Sequence, residues 1–139
     1  MTVEKQFPKT ALPNLGHAQE LAEGYTAQGD QVLILSMSSA LSGTYQALTM
    51  LFADDPNVTV FDTRLAVGGI RFLVMEARRY DTLPVPEIIE KLEALIPRIA
   101  LAACPETLDY LVAGGRLSKA GWMALREKRR WRRWAPTHR

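Results

Sequence analysis

Five residues in one short turn carry the most legible chemistry of this sequence. In LSMSSALSGTYQAL, residues 35–48, an apolar run gives way to Ser38, Ser39, Ser42, Gly43 and Thr44 before a helical pattern resumes. Hydroxyls are donors without charge, and the first turn of a helix leaves backbone N–H groups unpaired at the positive end of its dipole. Together they suit an anion or a carboxylate. One serine alone would do no more than cap the helix; four hydroxyls with a glycine favour a ligand.

Other chemistries lack their residues. GxxxxGK[ST] is absent and no lysine follows Gly43, which disfavours a nucleotide phosphate loop. His17 and His138 stand in no triad context, and His17 reads as a surface helix position. The lone Cys104 allows no intramolecular disulfide and reads as a small buried residue at a strand end, so a reducing, cytoplasmic setting is expected. No metal constellation, activated nucleophile or paired acid and base stands in a motif. A non-catalytic protein without a cofactor is therefore expected, with Asp62, beside Thr63 at a strand end, capping or lying at the edge of a site.

These residues need elements to position them, and the alternation of patterns supplies a set. Residues 15–28 read as a helix closed by Gly29 in a left-handed cap position. QVLILSM, residues 31–37, is a continuous apolar run of the kind found in strands covered on both faces. A helix over about 42–52 follows, and VTVFD, residues 58–62, is a second strand. Residues 65–80 and 86–99 read as helices, the latter with Pro86 in its first turn. A third strand over 99–104 leads into a short helix, 105–113, ended by Gly114 and Gly115. Strands alternating with helices of this length imply a layered α/β fold, its parallel strands joined by right-handed crossovers.

The chain of 139 residues, 47% hydrophobic and 23% charged, fits one domain. Its opening is polar and punctuated by Pro8 and Pro13, unlike a signal peptide, and no window approaches the roughly 18 apolar residues of a membrane span. The net charge of +2 conceals an asymmetry: the stretch 121–139 holds seven of the 17 Lys and Arg, one of the 15 Asp and Glu, and all three tryptophans, Trp122, Trp131 and Trp134.

With the turn and its elements in place, SSALSGTYQAL resembles the signature of the DegV family, close to SSxLSGTYQSA. VFDTRLAVGG, LDYLVAGGRLSKA and PKTALP are similar to three further family blocks and fall in the family's order. The resemblance covers roughly residues 7–120. It implies a carrier that holds a long-chain fatty acid by its carboxylate, and in related members presents that carboxylate to a separate fatty acid kinase subunit. By matched position it implies carboxylate contacts at Thr10 and in the turn Ser38, Ser39, Ser42, Gly43 and Thr44, with a head-group or partner contact at Arg116; Asp62, from its place at the strand end, is a further candidate for such a contact.

The sequence also departs from that pattern. Ala11 and Leu12 stand where the family usually has Ser and Gln, leaving one hydroxyl fewer beside Thr10. The family's opening strand and most of its second domain have no counterpart, so residues 1–120 are expected to form a truncated DegV-like domain and 121–139 a basic, Trp-rich tail. Apolar surface left open by such a truncation favours a homodimer or higher self-association. Two alternatives accompany the lipid-binding reading. One is a degenerate, self-associating structural module without lipid; the other is nucleic-acid or anionic-surface binding through the tail. The tail reads first as a helix packing its tryptophans on the domain's flank, which makes nucleic acid the less favoured partner.

Overall fold

The computed structural model describes residues 10–100 and 107–118. Two compact units divide the chain, Leu12–Leu101 on one side and Met1–Ala11 with Ala102–Arg139 on the other.

In the first unit helix α1, Leu15–Thr26, follows Pro13 and starts on Asn14, whose Oδ1 accepts the His17 N–H at 3.2 Å. An acceptor at this position satisfies one of the donors that a helix start leaves over. Its end is set by Gly29, which lies at φ 88° and lets the Asp30 N–H return to the Tyr25 carbonyl at 3.2 Å. That is the glycine-closed helix end expected from the sequence.

Strand β1, Val32–Ser36, pairs in parallel with β2, Val58–Asp62, so that Val32 lies opposite Val58 and Ser36 opposite Asp62. Successive side chains leave a strand on opposite faces, and both faces are covered here. On one, Val32, Ile34, Val58 and Val60 pack with Ala22 of α1 and with Leu48 and Phe52 of helix α2, Thr44–Leu51, and its end. On the other, Leu33, Leu35 and Phe61 pack with Leu73 of helix α3, Gly68–Ala77, and with Ile88 and Leu92 of helix α4, Val85–Leu95. The result is the layered α/β fold the alternation implied, with a parallel sheet between two helical layers. Of the expected third strand, Ile99 is extended and residues 101–104 lie outside the described residues, as do Cys104, the boundary at 120 and the tail.

Four helix starts differ from the sequence reading, that of the last described helix among them, and two helices give way to 3-10 turns. α2 begins at Thr44 because Ser42 and Gly43 belong to the turn. α4 begins one residue early, at Val85, with Pro86 in its first turn. The helix expected over 65–80 begins at Gly68, after Val67 in a left-handed conformation at φ 41°, and tightens into a 3-10 turn over Arg78–Tyr80. α4 likewise gives way to a 3-10 turn at Ile96–Arg98, where Pro97 has no N–H to continue the ladder. Among the described residues no helix is long and apolar enough to cross a membrane.

In the second unit, helix α5, Asp109–Ala113, is closed by Gly114 and Gly115. Gly115 at φ 75° allows two return bonds, Arg116 N–H to the Leu111 carbonyl at 2.9 Å and Gly115 N–H to that of Val112 at 3.0 Å. These are the paired bonds of a glycine-ended helix. They fix where Arg116 leaves the helix. Of the helix expected over 105–113, residues 105 and 106 lie outside the described residues, and Thr107 and Leu108 are not helical, so it starts at Asp109.

Candidate functional site

The turn after β1 and the loop after β2 are tied together at the carboxyl ends of the strands. Thr63, fully buried, donates its hydroxyl to the Ser36 carbonyl at 2.7 Å and its N–H to the same oxygen at 3.3 Å. Its Oγ1 also accepts the Leu65 N–H at 3.2 Å, and the Leu65 carbonyl accepts the Ser38 N–H at 2.9 Å. One buried threonine thus satisfies backbone groups from both loops, which would otherwise be stranded in a dry place.

Asp62 makes the second tie. Its carboxylate accepts the Ser39 N–H at 3.2 and 3.3 Å and the Arg64 N–H at 2.9 Å. Burial pushes this carboxyl up, and the Ser39 hydroxyl, the Arg64 and Ser39 N–H groups and the Arg64 charge together outweigh it, holding the group below its ordinary value of 3.8. Donors aimed at a carboxylate favour its ionised form. In the first unit Asp62 therefore acts as an anchor for the turn.

The hydroxyls of the turn divide by what they bond. Ser38 is buried, and its Oγ accepts the Ala40 N–H at 3.3 Å while its carbonyl accepts from Leu41 and Ser42. Ser42 Oγ and Thr44 Oγ1 lie 2.8 Å apart, and Ser42 Oγ also accepts the Thr44 N–H at 3.3 Å. Two hydroxyls in contact use one proton between them and leave the other to donate elsewhere. Beside them the N–H groups of Tyr45 and Gln46 stand in the first turn of α2, beyond reach of any carbonyl of that helix. Gly43 separates the pair and is exposed; a Cβ there would find only Leu12 Cδ2, at 3.8 Å. This corner offers neutral donors at a positive helix end, with open approach to the backbone.

Ser38, Ser39, Ser42, Gly43, Thr44 and Asp62 thus come together in the first unit. Thr10 and Arg116 come together in the second, where Arg116 Nη2 donates to Thr10 Oγ1 at 3.2 Å and Nη1 to the Gly114 carbonyl at 2.7 Å. Sequence reasoning overlooked the work of Thr63 and the position of Leu12. Thr63 is buried like Phe61 two residues before it, and that shared inward parity was a signal the sequence offered.

A model of the DegV family of uncharacterised proteins matches residues 1–124. Among curated relatives, the DegV domain-containing protein YejH of Lactococcus lactis is 33% identical over 122 residues, which cover 86% of this chain and 44% of the relative. The DegV domain-containing protein lmo1863 of Listeria monocytogenes is 32% identical over 124 residues, 86% of this chain and 44% of that one. The chain therefore spans less than half the length of these relatives. Of solved structures, the Streptococcus agalactiae protein SAG1342, described as a fatty acid binding DegV family protein, matches with a TM-score of 0.68 at 26% identity, over 90% of this chain and 46% of that chain. The Thermotoga maritima protein TM841, whose structure is described as revealing fatty acid binding function, matches at 0.66 and 29% identity, over 81% and 43%. A stearic acid-binding protein from Eubacterium ventriosum matches at 0.63 and 27% identity, over 84% and 42%. With the family's model matched over residues 1–124 and the signature turn in place at residues 38–44, this protein belongs to the DegV family.

Proposed function

We propose that this protein binds a long-chain fatty acid and orients it by its carboxylate at the turn before α2. The observation that carries the reading is the Ser42–Thr44 hydroxyl pair, 2.8 Å apart, beside the first-turn N–H groups of that helix. The solved proteins of similar fold described as fatty acid binding support the choice of ligand class.

The chemistry is modest. A carboxylate takes the spare hydroxyl proton and backbone N–H groups in bonds that are charge-assisted on the ligand's side. Each buried methylene contributes about 0.8 kcal/mol, so the acyl chain supplies most of the affinity and the hydroxyl pair sets which end goes where. Nothing in this scheme breaks a bond, and the role is that of a carrier; a fatty acid kinase subunit is the partner the family resemblance suggests. Thr10, bonded to Arg116, is a further proposed carboxylate contact, carried by its matched position.

Denaturing mass spectrometry on protein purified from cells tests the reading. A bound acyl acid is expected in wild type and a smaller amount in Ser42→Ala and Thr10→Val; protein free of any acyl ligand would count decisively against it. Self-association has its own support in exposed apolar side chains, Met50 at 80%, Val67 at 78% and Met75 at 58%. Light scattering at micromolar concentration is expected to give the mass of a dimer, and the mass of one chain excludes it.

A further inference from the structure

Leu12 holds an unusual position for a leucine. It precedes Pro13, which biases it toward extended backbone, and stands two residues before the Asn14 cap that starts α1. It belongs to neither apolar cluster and keeps 50% of its surface exposed. Yet its Cδ2 lies 3.8 Å from where a Cβ on Gly43 would be, over the one residue of the hydroxyl turn that carries no side chain. Leu41, which directly precedes Ser42, is exposed as well, at 41%.

An apolar side chain over the backbone between two donors has a chemical consequence. For a carboxylate held by Ser42 and Thr44 whose chain leaves on the Leu12 side, the α-carbon would face the methyl groups of Leu12. An α-methylene is at home there. An α-hydroxyl or α-ammonium group would lose water without gaining a hydrogen bond. We propose that Leu12 is a specificity-determining residue that restricts this head-group site to carboxylates with an apolar α-carbon. The inference rests on the fatty-acid reading above and deepens it by naming which acids are refused.

Titration of the full chain with palmitate and with 2-hydroxypalmitate tests it. Wild type is expected to favour palmitate by about tenfold, the cost of an unpaired hydroxyl. Leu12→Gln, which offers a partner at the same place, is expected to cut that ratio by about threefold or more, and Leu12→Met, apolar and similar in volume, to keep it. Because Leu12 lies outside both clusters, these variants should fold; a thermal melt confirms that each one titrated is folded. Palmitate binding by wild type with the same acid ratio in all three proteins would overturn the role of Leu12 and leave the fatty-acid reading standing. Failure of wild type to bind either acid would overturn that reading, and the role of Leu12 with it.

Discussion

At the scale of single residues, the turn is organised by two side chains that need not touch a ligand. Thr63 closes the backbone account of both loops from a fully buried position, and Asp62 gathers N–H groups of Ser39 and Arg64. A hydrogen bond to a charged group contributes about 1.5–3 kcal/mol, and Asn in place of Asp keeps an acceptor while losing the charge. Asp62→Asn is therefore expected to lower stability by about 1 kcal/mol, measured by urea denaturation. The pH dependence follows from the depressed carboxyl. Its contribution is fully present above the ordinary value of 3.8 and is lost as pH falls through the lower folded value. Acid unfolding of wild type should thus steepen below about pH 4, and the stability gap between wild type and Asp62→Asn should close there; a gap that stays constant far below that pH would refute the anchoring role. The motif VFDT made Asp62 visible in the sequence as a cap or site-edge residue. Its bonding to Ser39, 23 positions away, was not, because it depends on the register that sets Ser36 opposite Asp62.

At the scale of elements, what could be read in advance was whatever local pattern decides. Helix α1 with its glycine end and the apolar strands β1 and β2 follow from periodicity and from Gly29, and they lie where that pattern put them. The start of α3 does not. Residues 65–67 are apolar enough to continue a helix, but the Leu65 carbonyl and N–H are taken by Ser38 and Thr63, so tertiary bonds hold them out of it. The chain then turns through Val67 at φ 41° and ψ -107°, a conformation that is strained for a β-branched residue. Gly115, at φ 75°, meets the same demand at the end of α5 with the residue suited to it. The two positions predict opposite signs. Val67→Gly relieves strain of about 1–3 kcal/mol at a smaller entropic cost in the unfolded chain, and should raise stability by about 1 kcal/mol. Gly115→Ala has open space for its methyl group but the wrong backbone, and should lower stability by about 1 kcal/mol. Thermal melts of the two variants would show the midpoint moving up in the first and down in the second; a fall for Val67→Gly would mean that the turn carries no strain.

At the scale of the whole molecule, affinity for the proposed ligand depends on how much of its acyl chain is enclosed. The described core is divided between the two faces of one sheet, and the chain spans 44% of the length of its curated relatives. Chain length of the ligand can be used as a ruler. A methylene taken fully out of water contributes about 0.8 kcal/mol, or about fourfold in affinity, whereas a methylene left in water contributes nothing. Titrating saturated acids from eight to eighteen carbons is expected, on the order of that fourfold step, to give a rising series that levels off before the longest acid. The carbon number at the plateau then measures the enclosed length, and Ser42→Ala should shift the whole series down in parallel, because the head-group bonds are shared by every member. A series that never rises would reduce the turn to a site for small anions and remove the fatty-acid reading; one that climbs fourfold per carbon to the end would mean that the whole tail is enclosed, by this chain or by a pair of copies.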